Sequence, residues 1–204
     1  MQQSIVISRF AIALVMLAST TYAGAQPAGK SNGGIVRVVI ETDRGNIAVA
    51  LDSAHAPRSV ANFLRYVDGG FYTNGRFHRT VTPANQPRDT IRIEVIQAGI
   101  DTLRRRQGFP PVELEPTSAT GLHHRDGTLS MARAGPNTAT SDFFICIGDQ
   151  PALDFGGHRN LDGQGFAAFG RVTEGMAIVR AIQGAPASGQ QLTPPVTIRR
   201  IRRQ

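Results

Sequence analysis

Gly127–Gly148, GTLSMARAGPNTATSDFFICIG, holds two short apolar runs separated by a segment rich in Gly, Pro, Asn and Thr. Each run is too short for a globular helix and is bounded by turn-forming residues, so the pattern predicts two strands joined by an irregular connection. In the second run, period-two alternation places Asp142, Phe144 and Cys146 on one face and Phe143 and Ile145 on the other. Both faces carry aromatic or aliphatic side chains. This strand therefore has apolar neighbours on each side.

The same reading extends outward. VRVVIETDRGNIAVAL (36–51) is a hairpin about Asp43-Arg44-Gly45, and IRIEVIQ (91–97), FAAFGRV (166–172) and VTIRRI (196–201) are further strands. Two helices interrupt them. Pro57 suits a first helical turn, Val60, Phe63, Leu64 and Val67 follow at helical spacing, and Asp68-Gly69-Gly70 ends the run. Met176, Val179 and Ile182 mark the second helix, stopped by Gly184. Many short strands with two isolated helices predict a mostly β, closed or nearly closed antiparallel barrel with helical caps, spanning 35–204.

The chain has 204 residues and a formal net charge of +7, much of it in the closing TIRRIRRQ. No aromatic residues interleave with those arginines, so a nucleic-acid stacking platform is not indicated; arginines of a final strand facing solvent explain them. At the other end, Arg9, the apolar FAIALVMLA (10–18) and Ala23-Gly24-Ala25 form the pattern of a secretory signal cut after Ala25. Residues 26–34 then read as a flexible lead-in. The expected product is a periplasmic or secreted monomer, not inserted in the membrane after cleavage. Cys146 is the single cysteine and reads as a small buried hydrophobe, so no internal disulfide forms.

The common catalytic motifs are missing. There is no G-x-S-x-G, P-loop, H-E-x-x-H or C-x-x-C, and adjacent His123-His124 make a poor metal pair. No metal or cofactor is expected. A groove remains. On a regular strand Phe77 and Arg79 of GRFHRT (75–80) share a face, as do Ile91, Ile93, Val95 and Gln97. Arg79, Gln97, Val95 and Phe144 together would make a shallow apolar patch with a permanent cation at its rim.

In order, FHR, VIQAG, LSMARAGPNTATSDFFIC, LD and FAAFGRVTEGM resemble the cyclophilins, the cyclosporin-binding class of peptidyl-prolyl isomerases, from about Val36 to Arg199. The resemblance implies an eight-stranded antiparallel barrel capped by two helices, acting on X–Pro bonds of unfolded or extended polypeptides without a cofactor. It implies catalytic roles for Arg79, Gln97 and Phe144. It implies substrate contacts at Phe77, Val95, Met131, Ala132, Arg133, Asp142, Leu153 and Phe166. It also marks departures: Glu94 at the place of a pocket phenylalanine, Ala152 for a frequent tryptophan, Phe166 for a histidine and Asp142 for a glutamine. Insertions lie at 83–93 and 155–165. With so altered a pocket, the alternative to an enzyme is a peptide-binding module or chaperone with little activity.

Overall fold

The computed structural model describes Met1 and residues 34–204, and the expected signal and most of the lead-in lie outside the described residues. Among the described residues nine strands follow in order: β1 Ile35–Thr42, β2 Gly45–Asp52, β3 Gly75–Val81, β4 Val95–Gly99, β5 Thr128–Met131, β6 Phe143–Cys146, β7 Ala168–Glu174, β8 Ala187–Ser188 and β9 Gln191–Arg203. Between them run α1 Pro57–Asp68, the single turn α2 Thr117–Thr120, and α3 Met176–Gln183. All pairings are antiparallel in the order β1-β2-β7-β5-β6-β4-β3-β9, and β1 pairs back onto β9. That last pairing closes an eight-stranded barrel. β8 is a two-residue flap on β9.

Alternation along the strands divides the apolar residues between two clusters. Ile96, Ala98, Leu129, Met131, Phe143 and Ile145 point into the barrel, where they meet Val60, Phe63 and Val67 of α1 and Val179 and Ile182 of α3. Phe63 is within 5.4 Å of the rings of Tyr72, Phe143 and Phe169. Val95, Phe144 and Cys146 point outward from the same strands. With Val81, Ile93 and Leu153 they form a second cluster on the barrel's outer wall.

α1 lacks a local side-chain cap. Its first-turn donors, which have no partner within the helix, are met instead by the buried Glu115 carboxylate, which accepts from the backbone N–H groups of Arg58 and Ser59 and from the Ser59 hydroxyl. The arginines of β9 are exposed and ion-paired: Arg199 with Asp43, Arg200 and Arg202 with Glu41, and Arg203 with Asp68. The basic tail is thus largely matched by acids on neighbouring elements, which leaves little free charge for an anionic surface.

Two residues assigned to the groove lie elsewhere. Phe77 pairs with Ala98 and Arg79 with Gln97, which are consecutive on β4, so His78 is a bulge residue. The extra residue turns Phe77 and Arg79 to opposite sides of the sheet. Phe77 is fully buried in the barrel, 6.1 Å from the Phe143 ring. Met131 also faces inward, because it pairs with Phe143 rather than with an outward residue. Phe77→Ala should therefore cost stability, by about 3–5 kcal/mol as for other buried aromatics. Urea unfolding should show it as a lower midpoint with unchanged slope; loss of peptide affinity at unaltered stability would return Phe77 to the groove.

Candidate active site

The outer cluster floors a groove of about 630 Å³, within the range that takes ligands of a few residues. Arg79, Gln97, Val95, Phe144, Ala132, Arg133, Asp142, Leu153 and Phe166 all line it. Nine of the sequence-assigned residues thus converge from β3, β4, β6, the end of β5 and two loops. Phe77 and Met131 lie beneath them.

The arginine is held on two sides. Its Nη1 donates to Gln97 Oε1 at 2.9 Å, and its Nε and Nη2 donate to Gln190 Oε1 at 2.9 and 2.6 Å. Gln97 in turn donates to Asp142 at 3.4 Å. Half-burial pushes the guanidinium's pKa down, and the charge of Arg159 adds to this. An arginine starts so high that it stays protonated through the working range. His78, on the bulge, lies 3.9 Å from Asp142. Burial lowers its pKa below the usual 6.5, against the pull of Asp142.

The apolar floor is stiff. Phe166 meets Phe144 edge-on at 5.3 Å, while the buried His124 ring stacks on Phe144 at 5.9 Å and 15°. His124 is fixed at both nitrogens, Nδ1 to Asp154 Oδ1 at 2.6 Å and Nε2 to Ser130 Oγ at 2.9 Å. His123 bonds the other Asp154 oxygen at 2.9 Å. Both histidines thus serve one carboxylate, from irregular backbone rather than from a strand. Cys146 is buried in this floor, and desolvation pushes its pKa far up. That is the state of an inert packing residue.

The two insertions add Ile93, Arg159 and Asn160 to the wall. Ile93 lines the groove, whereas the Glu94 side chain turns away to accept from Gln183 of α3 at 3.0 Å. Glu94 therefore does not occupy a pocket position. Ile93 had shared a face with Val95 and Gln97 in the strand pattern, so its place was legible. Arg159 donates to Ile91 O at 2.7 Å and pairs with Asp89 at 3.1 Å, joining one insertion to the other. The 155–165 loop folds back on Ala152, whose carbonyl accepts from Arg159 N at 3.1 Å. Arg133 clamps the same loop. Its buried guanidinium pairs with Asp162 at 2.7 Å, donates to Gly165 O at 2.8 Å, and lies 5.1 Å from the Phe166 ring centre. Gly165 has φ +64°, and a Cβ there would meet the Asp154 carbonyl group at 2.5–2.6 Å, so the clamp requires glycine. Arg105 and Phe109 also line the groove.

An antiparallel barrel with an outer groove, apolar in its floor and rimmed by a fixed arginine, has a site for an apolar guest beside a permanent cation. Comparison with known proteins narrows the class. Residues 37–203 match the family described as cyclophilin type peptidyl-prolyl cis-trans isomerase/CLD. Peptidyl-prolyl cis-trans isomerase A of Dickeya dadantii is 37% identical over 148 residues, covering 71% of this chain and 70% of that protein. Peptidyl-prolyl cis-trans isomerase B of Escherichia coli is 34% identical over 148 residues, covering 72% and 84%. A cyclophilin type isomerase of Cryptosporidium parvum shares the fold at TM-score 0.66 and 23% identity, over 83% of this chain and 98% of its own. The chain belongs to the cyclophilin-type peptidyl-prolyl cis-trans isomerase family.

Burial alone would raise the Asp154 pKa, but the bonds from His124 and His123 outweigh it and bring it from the usual 3.8 to about 2. A carboxylate that titrates lower when folded contributes stability above its unfolded value, lost as pH falls through the folded one. Thermal midpoints followed from pH 7 to pH 2 should fall below about pH 4 in the natural chain. In Asp154→Asn the midpoint should start lower and fall less over that window. Parallel curves for the two proteins would place the acid sensitivity elsewhere.

Proposed function

We propose that this chain accelerates cis/trans exchange of X–Pro bonds in unfolded or extended segments of exported proteins, working as a monomer outside the cytoplasm. One observation carries the catalytic part: Arg79 is fixed at the rim of an apolar pocket floored by Phe144, Val95, Leu153 and Phe166. A Cryptosporidium parvum relative was solved in the presence of the dipeptide Ala-Pro, which fits a proline ring as the guest of this pocket. The signal-like first 25 residues support export.

Rotation about the X–Pro bond faces a barrier of about 18–20 kcal/mol from partial double-bond character, so unaided exchange takes tens to hundreds of seconds. No nucleophile or proton transfer is needed. The pocket grips the ring, and the carbonyl on its amino side turns. As conjugation breaks, the prolyl nitrogen becomes pyramidal and regains its lone pair. A guanidinium N–H directed at that nitrogen stabilises the twisted state more than either planar one. Half-burial of Arg79 strengthens the contact by keeping water away.

The second reading is a peptide-binding module or chaperone without useful turnover, suggested by the departures at Glu94 and Ala152. Glu94 bonds to α3 outside the groove, so only Ala152 still favours it. The two readings part on a single measurement, exchange in a short X–Pro peptide with and without the protein.

Arg79→Ala should lower turnover by about 10²-fold, the usual scale for one transition-state donor, at an unchanged thermal midpoint. Arg79→Lys keeps the charge but not the planar fork and should recover little. Near-full turnover in Arg79→Ala would sink the arginine mechanism.

The pH profile follows from the same groups. Arg79 stays charged, and His78, with its pKa lowered by burial, stays neutral above neutrality. Turnover measured from about pH 7 to pH 9 should therefore be flat. A steep titration in that interval would point to a proton-transfer step.

A further inference from the structure

The catalytic arginine is held by more than the family-like Gln97. Gln190, in the turn between β8 and β9, offers one amide oxygen to both Nε and Nη2 of Arg79. Gln190 is itself anchored. Its backbone carbonyl accepts from Thr80 N at 2.9 Å, and its Nε2 donates to Asn85 O at 3.3 Å. Asn85 belongs to the 83–93 insertion. Its side chain donates to Thr80 O at 3.0 Å and Gly189 O at 3.1 Å, and accepts from Thr82 N at 2.9 Å. The insertion, the β8–β9 turn and β3 are thus tied together directly behind the guanidinium.

We propose that Gln190, braced by Asn85, is a positioning residue that fixes the guanidinium of Arg79 for attack-free stabilisation of the twisted prolyl bond. The inference rests on the reading of Arg79 as the catalytic group. A guanidinium carries five N–H donors. Nε, one proton of Nη1 and one of Nη2 are engaged by Gln190 and Gln97. One N–H on each terminal nitrogen is left for a ligand. Both supports are neutral amides, so the arginine is oriented without its charge being cancelled, as a carboxylate in the same place would do. Without Gln190, the side chain keeps only one hydrogen bond, from Nη1, and regains rotamers about its long stem. Half-burial then no longer serves a fixed geometry.

The test uses the full mature chain and a short X–Pro peptide. Gln190→Ala should lower turnover at saturating peptide by about ten-fold, since loss of orientation is felt in the reacting geometry. Peptide affinity should move less than about two-fold, because the apolar floor is untouched. Asn85→Ala should produce a smaller loss in the same direction. The Arg79 Nε–H resonance should lose its protection from solvent exchange in Gln190→Ala and keep it in Gln190→Glu, which retains an acceptor oxygen but quenches the charge and stays slow. In an Arg79→Ala background, Gln190→Ala should cost nothing further. Full turnover in Gln190→Ala, or an equal loss with and without Arg79, would overturn the positioning role while leaving the arginine mechanism standing. Full turnover in Arg79→Ala would remove both. Should Gln190→Ala fail to fold, the resonance and turnover of Asn85→Ala and Gln190→Glu decide the matter.

Discussion

The extra residue at His78 is the constraint on which the groove depends. A regular strand would carry Phe77 and Arg79 on one face, and one of them would then be misplaced. Either an arginine would enter the barrel unpaired, at a desolvation cost of several kcal/mol, or a phenylalanine would be drawn out of the aromatic core. The bulge lets β3 keep its ladder with β4 and β9 while presenting a core residue inward and a cation outward two positions later. Gln97 and Gln190 can then reach the guanidinium from opposite sides.

A barrel this small fills its own interior, so a binding site has to be made on the outside. β4 and β6 meet that need by being apolar on both faces. Their inward residues join the main core, and their outward ones floor the groove. Phe144 and Val95 are held by ladder hydrogen bonds, and Phe144 is backed by the His124 ring, whose two nitrogens are tied to Asp154 and Ser130. The constellation of serine, histidine and aspartate is that of a hydrolase, but Ser130 and His124 are fully covered. Its work here is to hold an aromatic surface flat.

Much of this was legible in the residues. Period two gave the faces of β4 and β6, including the placing of Ile93 and the burial of Cys146, and helical spacing gave α1 and α3. Phe77 was misread because a bulge leaves no mark in composition; it is set by what β4 and β9 offer as partners. Met131 was misread for a related reason, since only its cross-strand partner Phe143 decides which side it faces. Glu94 matches a pocket position only by resemblance, whereas alternation turns it to the face opposite Val95 and Gln97. Arg159 and Gln190 were missed because their partners lie far along the chain, and Asn85 because its brace on Gln190 crosses the same distance although its bonds to Thr80 and Thr82 are local. Arg79 and Gln190 are 111 positions apart, and no local pattern encodes such a contact. The tail arginines pair with Glu41, Asp43 and Asp68 for the same kind of reason.

Cys146 gives the molecule an internal clock. Its thiol lies in the groove floor, fully covered, packed with Phe144 and Leu153, and held protonated by desolvation. In an oxidising compartment this keeps two copies from being joined through sulfur. It also means that an alkylating reagent reaches the thiol only in molecules whose floor has momentarily parted. Labelling of the native chain therefore counts local openings of the groove one event at a time.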